Sequence, residues 1–187
     1  MAGHERVIFL DIDGVLQGYS SQKRFKFIKD MPALQKELTE KHGVDYLSYD
    51  KYDVGAVYYD WDPHAVYLIK KILDETLAMI VISSDWRCTE GGLQRMKDLF
   101  RLHGLDEYVV DVTDDFRYED RRNRAKEYEG YSVRTVEILE YVKKHPEIKK
   151  FVAIDDMDLS LGLEGHFVQT THLITDEECN ECIKLLT

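Results

Sequence analysis

The sequence predicts an α/β fold: a three-layer parallel sheet with helices on both faces and one small insertion after the first strand. Short apolar runs recur at residues 7–10, 77–82 and 151–154. Bounded by polar turn residues, such runs suit strands buried on both faces. Between them lie longer stretches with helical apolar spacing, and strands alternating with helices build parallel sheets. The runs also end alike, in Asp11 and Asp13, in Ser83 and Ser84, and in Asp155 and Asp156.

Taken in order, Val7-Ile8-Phe9-Leu10 is the first strand, and Asp11-Ile12-Asp13-Gly14 follows at once. Residues two apart in a strand face the same side, so Asp11 and Asp13 start out aimed together, and Gly14 permits a sharp turn. Residues 17–60 interrupt the alternation as a small cap or flap. Within them Met31 to Leu38 reads as a helix, with Asp30 at its N-cap and Gly43 near its end. Tyr46, Tyr49, Tyr52, Tyr58, Tyr59 and Trp61 then crowd together, and Gly55 among them is placed to turn a hairpin. Such a flap would stack a base or pack a small core of its own; packing is the commoner use of tyrosine, and we adopt it.

Asp62-Pro63 opens a helix with an N-cap and a first-turn proline. Residues 77–82 form the second strand, 90–103 a helix ending near Gly104, and 108–112 a third, less buried strand. Residues 113–130 mix acids with Arg117, Arg121, Arg122, Arg124 and Lys126, which reads as a solvated loop. Ser132 caps a helix running to His145, residues 151–154 are a strand, and His166-Phe167-Val168 precede a final helix. That helix opens with a capping box, Thr175-x-x-Glu178.

All 187 residues are read as one domain, 1–187, able to bury a good-sized core. A net charge of −11 argues against a surface that coats nucleic acid, while leaving room for a local basic pocket. No apolar run reaches the length of a bilayer span, and residues 1–6 carry no signal-peptide pattern. Three cysteines cannot all pair, so a reducing cytoplasm is expected and a membrane partner is not. Cys179-Asn180-Glu181-Cys182 is a lone C-x-x-C, and with only Cys88 and His172 beside it in prospect, packing is preferred to zinc.

In a parallel sheet the carboxyl ends of the strands share one edge, so Asp11, Asp13, Ser83, Ser84, Asp155 and Asp156 should converge. Several carboxylates in one volume call for a hard cation, and oxygen donors suit Mg²⁺. Arg134, early in the helix before the last acidic strand, supplies a positive charge near that edge; Lys126 and Arg124 are the alternatives.

Asp11-Ile12-Asp13-Gly14-Val15, the strand-end serine, a basic residue and Asp155-Asp156, in that order, resemble the haloacid-dehalogenase-like (HAD) phosphatase superfamily, which has a Rossmann-like sheet. Ile82-Ser83-Ser84-x-Trp86-Arg87 further resembles the small HAD domains of RNA-repair proteins. The resemblance implies an Asp11 nucleophile that forms an aspartyl-phosphate, with Asp13 as acid and then base. It implies Mg²⁺ held by Asp11, the Asp13 backbone carbonyl and Asp155, with Asp156 nearby or acting through water. Ser83, or Ser84 one residue on, and Arg134 would hold the phosphoryl oxygens. The implied activity is a Mg²⁺-dependent phosphohydrolase acting on a phosphomonoester, whose phosphorylated partner is a polynucleotide end, a phosphoprotein or a nucleotide. The alternative is a catalytically silent domain that recognises a phosphorylated partner.

Overall fold

The computed structural model describes residues 4–117 and 128–187. Among these residues five strands form one sheet: β1 (Arg6–Leu10), β2 (Met79–Ile82), β3 (Val109–Val112), β4 (Lys150–Asp155) and β5 (Phe167–Gln169). Their order is β3-β2-β1-β4-β5, and each neighbouring pair is parallel. Among the described residues six α-helices accompany them: α1 (Met31–His42), α2 (Lys51–Gly55), α3 (Pro63–Thr76), α4 (Gly92–Arg101), α5 (Val133–Lys144) and α6 (Asp176–Leu186). The α/β, Rossmann-like class expected from the apolar runs is the observed one.

Alternation along β1 builds the layers. Ile8 and Leu10 point into a large core shared with Leu68, Ile72, Leu99, Phe100 and Cys182, contributed by α3, α4 and α6. Val7 and Phe9 point the other way, against Ile138 of α5 and Leu159 and Leu163 of the loop after β4. Each β1 position therefore buries an apolar side chain on one face or the other, which explains why the run is continuous. Arg6 joins the strand because its guanidinium reaches the carbonyls of Leu186 and Thr76.

The helix expected from residue 31 runs to His42, and Gly43 closes it in the left-handed region (φ +68°). Asp30 holds the N-cap position without a side-chain cap bond. Asp62 caps α3 by accepting from His64 and Ala65, and Ser132 caps α5 by accepting from Thr135. The capping box of Thr175 and Glu178 is complete. The second strand starts later than residue 77, because Leu77 ends α3 in the left-handed region and is 78% exposed.

Two expectations for the insertion are overturned. No hairpin turns at Gly55. Asp50 caps α2 by accepting from Tyr52 N–H, and residues 56–60 continue as a π-helical turn. Gly55 is a close-approach position instead: a Cβ there would meet Met31 Cε at 2.6 Å. Nor does the insertion pack a core of its own, since Met31, Leu34, Tyr46, Val57 and Trp61 join the cluster that includes Ile8 and Leu10. Tyr46 is fully buried and donates its hydroxyl to Asp98 O at 2.6 Å. The large ring thereby gains burial without stranding its polar end. Cys179 and Cys182 face the core from α6, Cys88 is exposed, and all three are free. Among the described residues, no helix is long and apolar enough to cross a membrane.

Candidate active site

The carboxyl end of β1 is tied level with its neighbours. Asp11 N–H donates to Ile154 O at 3.0 Å, and Ser83 N–H donates to Leu10 O at 2.9 Å. The chain then wraps around one carbonyl, Ile12 O, which accepts from the amides of Val15, Leu16 and Gln17. Buried Ile12 anchors that turn in the core, leaving Asp11 and Asp13 on the polar side. Gly14 is required here twice over. Its φ is +79°, and a Cβ would stand 2.7 Å from Cβ and Cγ of Asp156. Thr170 Oγ1 secures the turn by donating to Gly14 O at 2.7 Å.

The structure brings Asp11, Asp155 and Asp156 together, with one carboxylate oxygen from each lying within 4.8 Å of the others. Arg134 enters the same cluster. Its Nη1 donates to Asp11 Oδ1 at 3.1 Å and to Asp155 Oδ2 at 2.9 Å, and its Nη2 lies 3.3 Å from Asp85 Oδ1. Both carboxylates that Arg134 Nη1 bridges are nearly inaccessible. Met157 N–H fixes Asp155 Oδ1 at 2.9 Å, while Tyr19 donates its hydroxyl to Asp156 from the insertion side.

Burial shifts the titration of these acids. Desolvation raises the pKa of Asp11, opposed by the Arg134 charge and by hydrogen bonding from Ser84 and Arg134. Asp155 is pushed up to about 7 by burial and by the nearby Asp11 charge, against the pull of Arg134. One guanidinium leaves negative charge uncompensated among Asp11, Asp155 and Asp156, which a bound proton or a further cation can balance.

Asp13 stands apart from that cluster, held by other groups. Trp86 Nε1–H donates to its Oδ2 at 2.8 Å, and Gln17 Nε2–H lies 3.4 Å from its Oδ1. Trp86 occurs in a 3₁₀ turn (Asp85–Cys88) that Ser84 caps. The two serines part company at the end of β2, as successive side chains of an extended chain do. Ser84 acts on the Asp11 carboxylate, whereas the buried Ser83 hydroxyl has no partner among the described residues.

A buried ion pair supports this side of the site. Arg87 Nη2 meets Glu137 Oε2 at 2.6 Å, and both side chains are 2% exposed. Arg87 also donates to the carbonyls of Ser84 and Thr113, fixing the loops after β2 and β3 to each other. Arg87 is thus fully engaged within the protein and does not reach outward. A cavity of about 290 Å³ opens beside Asp13, lined by Asp53, Asp85, Trp86, Thr89 and Arg95.

Six of the sequence-derived residues therefore meet in and around one cluster: Asp11, Asp13, Ser84, Arg134, Asp155 and Asp156. Ser83 lies at the same strand end with its hydroxyl unpartnered. Lys126 and Arg124 lie outside the described residues. Asp158 stays within its loop, accepting from Ser160 N–H. Sequence reasoning did not assign Gln17, Asp85, Glu137 or Thr170 to the site. Glu137 carried a usable signal, since it lies one helical turn after Arg134 on the same face of α5; the others depend on tertiary proximity alone.

The family model described as "HAD domain in Swiss Army Knife RNA repair proteins" matches residues 7–178. No curated protein and no solved structure matches the chain.

Proposed function

Because the chain belongs to the family of HAD domains in Swiss Army Knife RNA repair proteins, we propose that it is a Mg²⁺-dependent phosphohydrolase acting through an aspartyl-phosphate. The observation that carries this is the convergence of Asp11, Asp155 and Asp156, with Asp13 held separately on the same turn. Three hard oxygen donors around a buried negative charge fit Mg²⁺. Asp11, Asp155, Asp156 and the Asp13 carbonyl are the groups proposed to hold it. When bound, the ion supplies the positive charge that lets a carboxylate approach a phosphate.

In the proposed reaction a carboxylate oxygen of Asp11 attacks phosphorus as the bond to the leaving oxygen breaks. Arg134 favours the ionised form of Asp11 and, with Ser84, binds the phosphoryl oxygens as charge shifts onto them. We assign that hydroxyl role to Ser84 over Ser83, because Ser84 is the one that acts on Asp11. Asp13 protonates the leaving oxygen. It then takes a proton from the water that attacks the aspartyl-phosphate, which releases phosphate and restores Asp11.

The substrate proposed is a phosphate on a polynucleotide end, supported by the family description and by an insertion too small to enclose the site. Residues 17–60 would serve as a small cap on a one-domain protein. Free, buried thiols on α6 support a reducing, cytoplasmic setting.

The test is phosphate release with Mg²⁺ or chelator from an aryl phosphate, nucleotides, 3′- and 5′-phosphorylated RNA and a phosphopeptide. Mg²⁺-dependent release, lost in Asp11→Asn, is expected, with the RNA ends turned over fastest. No release from any substrate, or full activity in Asp11→Asn, would overturn the reading in favour of a silent binding domain.

A further inference from the structure

The segment before α1 is strongly cationic in an acidic chain. Residues 22–29 read Gln-Lys-Arg-Phe-Lys-Phe-Ile-Lys, four cations and no acid, within a protein of net charge −11. Lys23, Lys26 and Lys29 are exposed, as is Lys51 on the neighbouring α2, and none of the four forms an ion pair with a described residue. Phe25 (46% exposed) and Tyr52 (43%) stand among them, their rings 6.2 Å apart. Each ring already carries a cation: Arg24 lies over Phe25 at 4.9 Å, and Lys51 over Tyr52 at 5.3 Å. Further along, Phe27 stacks on Tyr59 at 4.6 Å, and Tyr59 meets the exposed Tyr58.

This ridge is built rather than loose. Arg24 anchors it through a 2.6 Å ion pair with the buried Asp60, so its guanidinium is a structural post and the lysines remain available. It also adjoins the site. Asp53 follows Tyr52 directly in α2, and Asp53 lines the same cavity as Asp13 and Trp86.

We propose that the face formed by residues 23–29 and Lys51-Tyr52 binds single-stranded nucleic acid, stacking bases on Phe25 and Tyr52 and placing phosphates against Lys23, Lys26, Lys29 and Lys51. The proposal deepens the reading above and rests on it for what the strand delivers to Asp11. Exposed rings interleaved with lysines that form no ion pair with a described residue match the two repeating features of a single strand, a base with two π-faces and one phosphate per nucleotide. An anionic peptide would use the lysines and leave the rings idle. A duplex keeps its bases stacked inside and would do the same. The overall acidity does not forbid binding, because charges beyond the ~10 Å Debye length at 0.1 M salt are largely screened.

The test is fluorescence anisotropy of the full chain with a short labelled single-stranded oligoribonucleotide, alongside the same sequence as duplex, a phosphopeptide and phosphatidylserine vesicles. Binding is expected to favour the single strand and to weaken with salt, with a log–log slope near −3 for the four lysine–phosphate contacts at ~0.7 each. The triple variant Lys23→Ala/Lys26→Ala/Lys29→Ala should lose at least tenfold and flatten that slope. Phe25→Leu or Tyr52→Leu should lose about tenfold, while Tyr52→Phe, which keeps the ring, should bind like wild type. Aryl phosphate hydrolysis should be unchanged in all of them. Single-strand binding untouched by these substitutions, or tighter binding of the peptide, duplex or vesicle, would overturn the proposal. Measuring phosphate release from the bound strand separates the outcomes: single-strand binding by the wild type without any release would overturn only the phosphatase reading, while Asp11→Asn should bind the strand like wild type and release none.

Discussion

The indole N–H of Trp86 donates to Asp13 Oδ2 over 2.8 Å, joining the turn after β2 to the turn after β1. A carboxylate so held has a fixed direction, and its other oxygen, 3.4 Å from Gln17 Nε2, is the more loosely held one for proton transfer. Substituting Trp86→Phe keeps most of the packing and removes the donor. We expect turnover of substrates with poor leaving groups to fall roughly 10–100-fold, a fraction of the ~10²–10⁴ that acid–base help contributes. An activated aryl phosphate, which needs little protonation, should lose far less. Equal losses on both would mean that Trp86 does not work through Asp13.

Arg87 and Glu137 are expected to be mutually dependent. Removing one member of a buried pair strands the other charge, at a cost of about 3–5 kcal/mol. Glu137→Leu and Arg87→Met should each lower the urea midpoint sharply, while the double variant should be less destabilised than the sum of the two. Strict additivity in that cycle would show that the pair is not coupled.

Gly14→Ala tests the contact beneath the acidic cluster, and Gly43 provides its control. Both glycines have positive φ, but a Cβ at Gly43 meets nothing within 4 Å. Gly43→Ala should show the conformational cost alone, about 1–2 kcal/mol. Gly14→Ala should cost more in a denaturation curve, because the Cβ forces Asp156 aside. It should also reduce the thermal shift produced by Mg²⁺, which Gly43→Ala should leave intact.

His103 links α4 to the insertion, donating Nε2–H to Val57 O at 2.8 Å and stacking on Trp61 at 5.2 Å. Burial lowers its pKa below the ordinary 6.5, with only the Val57 hydrogen bond opposing. The unfolded chain therefore takes up this proton first. The stability owed to neutral His103 is complete above pH 6.5 and declines as pH falls through 6.5 towards the lower folded value. Urea midpoints measured from pH 7.5 to 5 should show this decline in the wild type, and His103→Gln should reduce its steepness. An unchanged slope in His103→Gln would remove His103 as its source.

Several features needed nothing beyond the local chain. The apolar runs marked β1, β2 and β4 because a strand buried on both faces has no polar side to interrupt it. Asp62-Pro63, Ser132 and Thr175-x-x-Glu178 marked helix starts because caps act within one turn. The family order of Asp11, Asp13, serine and Asp155-Asp156 was legible for a related reason: parallel strands deliver whatever ends them to one edge. The insertion was less legible. Gly55 carries no local mark distinguishing a turn glycine from one that lets Met31 approach, since that distinction lies in a contact across the insertion.

Sequence by itself thus determined the sheet, its chemical edge and which acids reach it, because periodicity, capping and strand direction are short-range properties. Only the tertiary structure decided the partners within that edge. It placed Arg134 between Asp11 and Asp155, and Trp86 on Asp13. It also made residues 51–60, expected to turn a hairpin at Gly55, helical. These outcomes depend on packing between segments far apart in the chain, where a side chain's direction is set by what surrounds it.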